Sequence, residues 1–169
     1  MKYEKEVAVL ELHTNENIVG KIAAISISKK KGIPKTNVQS ARLIENFGIE
    51  SDAHAGNWHR QVSLLPLESV EKMRKAGLPN LRPGAFAENL TIEGITLNQL
   101  PVGAKIIIGK SVLLEVTQIG KECHSKCAIF FKVGDCVMPR EGIFGKVLDG
   151  GEIRVGETVR VVDSEILVS

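Results

Sequence analysis

The sequence predicts a mainly β protein: a closed or partly closed β-barrel carrying one helix and irregular insertions. Three observations lead there. From Lys105 onward, short β-branched runs recur at close spacing, separated by turn signals at Gly109-Lys110, Asp149-Gly150-Gly151 and Gly156-Glu157. Only one stretch carries both a helix start and a helix stop. Strands and helices do not alternate in the regular manner of a doubly wound sheet.

Residues 1–17 read as an N-terminal extension, residues 18–163 as the barrel domain and residues 164–169 as a tail. Ile18 to Ser28 is rich in β-branched residues and predicts the first core strand. The basic run Lys29-Lys30-Lys31-Gly32-Ile33-Pro34-Lys35 breaks that pattern and reads as a solvated loop or as the anion-binding lip of a pocket. Val38 to Ile44 predicts a second strand and Gln61 to Leu65 a third. Pro66 to Gly77 is the helix. Proline suits its first turn, Glu68 and Glu71 lie near the positive end of its dipole, Lys72, Arg74 and Lys75 lie near the negative end, and Gly77 stops it. Leu90-Thr91-Ile92 is a short strand, and Lys105–Ile108 with Val112–Ile119 forms a hairpin. Ile143–Leu148, Glu152–Val155 and Thr158–Val162 complete a set of eight or nine strands.

Composition narrows the function classes. The chain has 169 residues, enough for one domain with a full core, and its net charge is +2 with acids and bases mixed along it. Neither a basic stripe nor an aromatic platform is present, which argues against nucleic-acid binding. The charged N-terminus is followed by no apolar signal core, and no run reaches membrane-spanning length, so the expected location is cytoplasmic. Three cysteines in a reducing compartment read as free thiols or metal ligands.

The chemistry-bearing residues concentrate in three segments. Gly120 to Gly156 holds Cys123, Cys127 and Cys136, with seven of the sixteen glycines. Cys123 is the candidate for reactive chemistry. Lys121, His124 and Lys126 flank it and Arg140 follows, and positive neighbours raise the thiolate fraction, whereas Glu122 opposes them. Cys127 and Cys136 read as buried small hydrophobes; the alternative is a zinc site shared with Cys123 and His124. Gly48 to Gln61 is a polar loop in which Asp52-x-His54 and His59-Arg60 suggest either a metal site or a hydrogen-bonded loop element. Arg60 and Arg82 offer forked donors for an oxyanion or a surface ion pair. Gly103 to Ser111 has a superficial likeness to a phosphate-binding P-loop but has the wrong glycine spacing and no following helix.

Four of these stretches, in order, resemble the MOSC domain, the module found at the C-terminus of molybdenum cofactor sulfurases and as a stand-alone protein. They are Ser51–Gly56 with His59–Leu65, Pro83–Leu90, Val116–Cys123, and Pro139–Leu148 continuing through Gly151 to Val155-Gly156-Glu157. The resemblance implies a β-barrel that binds the molybdenum–pterin cofactor, with a cysteine, here Cys123, that carries sulfur or ligates the molybdenum. Glu122 stands where relatives often have proline. His54, His59, Arg60, Arg82, Asn89, Lys121 and Arg140 are the expected cofactor contacts. No pyridoxal-phosphate site accompanies them, so a separate sulfur donor such as a cysteine desulfurase would be required. The expected function is sulfur carriage or transfer. The alternatives are a non-catalytic cofactor carrier, or a molybdenum-dependent reductase of N-hydroxylated compounds served by an electron-donor protein.

Overall fold

Burial alternates along several strands and marks one face of the sheet as the core face. In Lys105–Ile108 the pattern runs half-buried, buried, half-buried, buried, and the inward residues Ile106 and Ile108 are among the largest fully buried side chains. The computed structural model describes residues 14–122 and 136–162, with side chains from residue 18. Eleven strands appear among them: β1 (Thr14–Ile27), β2 (Thr36–Val38), β3 (Ser40–Ile44), β4 (Gly48–Ile49), β5 (Val62–Pro66), β6 (Leu90–Glu93), β7 (Lys105–Ile108), β8 (Val112–Ile119), β9 (Ile143–Asp149), β10 (Gly151–Arg154) and β11 (Thr158–Val162).

The barrel has seven strands. The order β11-β7-β8-β9-β5-β6-β1 is closed by pairing of β1 with β11, and β2 is appended to β1 outside the ring. The pairing of β5 with β6 is parallel and the others in the ring are antiparallel. Ile22, Leu64, Ile92, Leu114, Ile143 and Val159 meet in one core inside it. The predicted strand Val38–Ile44 is two strands. The chain leaves the barrel sheet at Gln39, whose carbonyl accepts the Val155 amide, and enters a three-stranded sheet of order β10-β3-β4. Residues 1–13 of the expected N-terminal extension lie outside the described residues.

Helix α1 (Leu67–Lys75) is shorter than predicted because Pro66 is the last residue of β5 and serves as the N-cap in an extended conformation. Its buried Val70 and Met73 pack with Leu65, Phe86 and Phe144 in a second cluster outside the barrel. A second, four-residue helix α2 (Met138–Glu141) falls inside the cysteine-bearing stretch, where no helix was expected, with proline in its first turn. Among the described residues no helix is long and apolar enough to cross a membrane.

Glu141 ties the two helices together, accepting hydrogen bonds from the Ser69 hydroxyl at 2.7 Å and from the Lys72 ammonium at 2.7 Å. Burial pushes its carboxyl up, but Lys72 and Ser69 together hold it below the ordinary value of 4.5. A carboxylate depressed in the fold stabilises above its unfolded pKa and ceases to as pH falls through the folded one. Glu141→Gln is therefore expected to cost up to about 1 kcal/mol at neutral pH and nothing below the depressed pKa, measured by urea unfolding across the acid range.

Candidate functional site

A cavity of about 290 Å³ lies where four connections meet. Lys31 comes from the β1–β2 turn; His54, Trp58 and Arg60 from the β4–β5 connection; Ala87 from the segment before β6; and Lys121 with Glu122 from the chain after β8. Ser63 on β5, Met138 on α2 and Phe144 on β9 complete the wall. Three cations thus face one carboxylate.

Trp58 organises the cations. The Arg60 guanidinium carbon sits 4.6 Å from the Trp58 ring centroid and 5.5 Å from that of Phe144, and the Lys31 ammonium sits 5.2 Å from Trp58. The indole N–H donates to the His54 carbonyl at 2.7 Å, which fixes the ring. Arg60 Nε is buried and has no hydrogen-bond partner among the described residues. An orphaned guanidinium donor in a cavity wall is costly unless a ligand accepts from it.

Behind His54 lies a buried ion pair that sequence reasoning missed. Lys35 Nζ donates to Asp52 Oδ1 at 2.6 Å, and neither side chain is exposed. The same ammonium lies 2.9 Å from His54 Nδ1. Asp52 also accepts the Ser28 amide at 3.0 Å and the His54 amide at 3.2 Å. Burial pushes Asp52 up, but the Lys35 ammonium and the Ser28 amide hold it below the usual carboxylate range. Burial lowers Lys35 by more than the Asp52 carboxylate raises it, and the 2.6 Å contact makes the two a buried ion pair. Burial, then the Lys35 charge, lowers His54 to about 4. Its imidazole is neutral at physiological pH.

Gly84 lets the chain close over this pair. It adopts φ +93°, and a Cβ there would sit 2.7 Å from the Lys35 carbonyl oxygen and 2.9 Å from Ser26 Oγ. Three residues on, Ala87 takes a left-handed φ of +63° where its side chain meets the cavity. Buried Glu88 holds that turn, accepting from the Phe86 amide at 3.1 Å and the Thr91 hydroxyl at 3.1 Å.

Of the residues expected to contact a cofactor, His54, Arg60 and Lys121 line the cavity together. Asn89 is fully buried beneath it. Its amide oxygen accepts from the Ser63 amide and hydroxyl, and its amide nitrogen donates to the Ser26 carbonyl at 3.1 Å. His59 is exposed, 2.7 Å from Gln118 Oε1, and Arg82 and Arg140 are exposed; none of the three is among the described lining residues. Cys123, His124 and Cys127 lie outside the described residues, and Cys136 is half-buried against the second apolar cluster. No group of three or more histidine, cysteine, aspartate or glutamate side chains suited to a metal occurs among the described residues. The Asp52–His54 spacing reflects their shared lysine. Trp58, Met138 and Phe144 had no signal separating them from core residues, and Lys35 none separating it from the exposed lysines before it.

The molecule is a closed seven-strand barrel with a cavity lined by Lys31, Arg60 and Lys121 beside Glu122. Residues 51–160 match the MOSC domain, and the chain belongs to that family, which is associated with molybdenum cofactor binding. The fold is similar to that of the YuaD protein from Bacillus subtilis, with a TM-score of 0.73 at 18% identity, covering 86% of this chain and 97% of that one. It is also similar to YiiM from Geobacillus stearothermophilus, with a TM-score of 0.63 at 22% identity over 85% of this chain and 75% of that one. YiiM from Escherichia coli gives a TM-score of 0.60 at 17% identity over 85% and 70%. No curated protein matches the sequence.

Proposed function

We propose that the protein binds the molybdenum–pterin cofactor in this cavity and carries or transfers sulfur through Cys123. The observation that carries the reading is the buried Arg60 Nε, without a hydrogen-bond partner among the described residues, in a wall that also presents Lys31 and Lys121. These donors fit a group bearing phosphate and metal-bound oxygen or sulfur. Arg60, Lys31 and Lys121 would hold its anionic groups, and neutral His54 would hydrogen-bond to it. When bound, the cofactor supplies a metal centre bearing oxo or sulfido groups. Cys123 is assigned from the sequence. Glu122, the residue before it, lines the cavity beside His54 and Arg60. A thiolate suits such soft chemistry better than a hydroxyl does. Sulfur would come from a separate donor protein.

Protein purified anaerobically is expected to co-elute with pterin and molybdenum. Cys123→Ser is expected to retain cofactor and lose sulfur transfer; equal transfer by the variant would remove the thiol role, and cofactor retention without transfer by either protein would favour the carrier reading. Trp58 is the only tryptophan of the chain, so cofactor binding is expected to shift its emission. Unchanged emission in the cofactor-loaded protein would place the cofactor elsewhere.

A further inference from the structure

A histidine lining a cavity invites assignment as a general base. The geometry around His54 argues for a different role. A lysine ammonium has donors and no acceptor, whereas a neutral imidazole has one of each. Lys35 Nζ is 2.6 Å from ionised Asp52 and 2.9 Å from His54 Nδ1, with no solvent at the lysine or aspartate side chain. Nδ1 must therefore accept, and the ring proton must reside on Nε2. Nε2 has no hydrogen-bond partner among the described residues, and His54 lines the cavity.

We propose that Lys35 is a positioning residue that pins His54 as the neutral Nε2–H tautomer, so that His54 offers the bound ligand a hydrogen-bond donor and cannot act as a base. The ligand atom it faces is then an acceptor, such as an oxo, sulfido or carbonyl group. Any thiol working at this cavity is activated by the cations of the wall, not by proton transfer to imidazole. The charged groups acting on the ring are Lys35, Lys31 and Lys121, which disfavour a second proton, and Asp52, which favours it. Arg60 adds a further positive charge to the same cavity and Glu122 the one carboxylate of its wall. The identity of the ligand rests on the cofactor reading above; the tautomer does not.

The test is long-range proton–nitrogen correlation NMR on the full chain labelled with nitrogen-15 histidine and free of cofactor, with His54 assigned among the four histidines by His54→Gln. The expected result is an acceptor-type Nδ1 and a protonated Nε2, unchanged between about pH 8 and pH 5. A protonated Nδ1, or a charged ring near neutral pH, would overturn the proposal. Lys35→Met combined with Asp52→Asn keeps the buried site neutral. In that variant the tautomer preference is expected to weaken and the His54 midpoint to rise toward the ordinary value of 6.5. An unchanged ring would show that Lys35 does not set it. If the wild-type tautomer is as stated and cofactor still fails to bind, the cofactor reading falls and the role of Lys35 stands.

Discussion

Lys35→Met is expected to destabilise the fold by about 3–5 kcal/mol, the cost of leaving one member of a buried ion pair without its partner. The substitution strands Asp52 at 0% side-chain exposure with only amide donors. A buried carboxylate deprived of its cation takes up a proton more readily, so the loss is expected to be largest above neutral pH and to shrink in acid. The reverse change, Asp52→Ala, strands an ammonium and is expected to cost a similar amount. Removing both charges together, as in Lys35→Met with Asp52→Asn, is expected to recover most of the loss, because a neutral replacement of a buried pair is often tolerated. Denaturant midpoints for the singles and the double close the cycle. A single-variant loss under about 1 kcal/mol would mean that water reaches the pair.

Arg60→Ala is expected to weaken cofactor binding by about 10- to 100-fold, since a hydrogen bond to a charged group contributes about 1.5–3 kcal/mol. The side chain stacks on Trp58 and Phe144 and has a donor in reserve at Nε. Arg60→Lys is expected to restore little, because an ammonium supplies charge without the planar fork or the stacking face. Equilibrium dialysis is the suitable measurement, since Trp58 emission changes with the loss of its own neighbour. A change below threefold in Arg60→Ala would remove this residue from the site. Arg82→Ala, at an exposed position away from the cavity, serves as the comparison.

The barrel was legible because its signal is periodic. The hairpin Lys105–Ile108 with Val112–Ile119 forms over the residues that alternation marks, and so does Thr158–Val162. Elements whose limits depend on tertiary contacts were not legible: the stretch Val38–Ile44 divides at Gln39, whose carbonyl accepts the Val155 amide, and Gly48–Ile49 is too short to show a period. In the site, Arg60 and Lys121 could be read from residue type and their setting. Asp52 and His54 could be singled out, but their partner could not, since Lys35 lies 17 positions from Asp52 in a run of otherwise exposed lysines. Asn89 looks like a ligand contact in sequence, yet the same hydrogen-bonding capacity serves the interior, joining Ser63 to Ser26. Burial decides between those uses, and a single polar residue in an irregular segment carries no mark of it.

The ring of seven strands has a consequence of parity. Strands around a closed circuit can alternate up and down throughout only if their number is even, so an odd circuit must contain at least one neighbouring pair that runs the same way. Here that pair is β5 and β6, and two strands running the same way cannot be joined by a tight turn. The chain must travel back the length of the barrel between them, and the return leg it is obliged to make is the stretch that delivers Gly84, Ala87 and Asn89 to the cavity and its floor. The wall that Ala87 contributes to the pocket is thus a by-product of an odd count of strands.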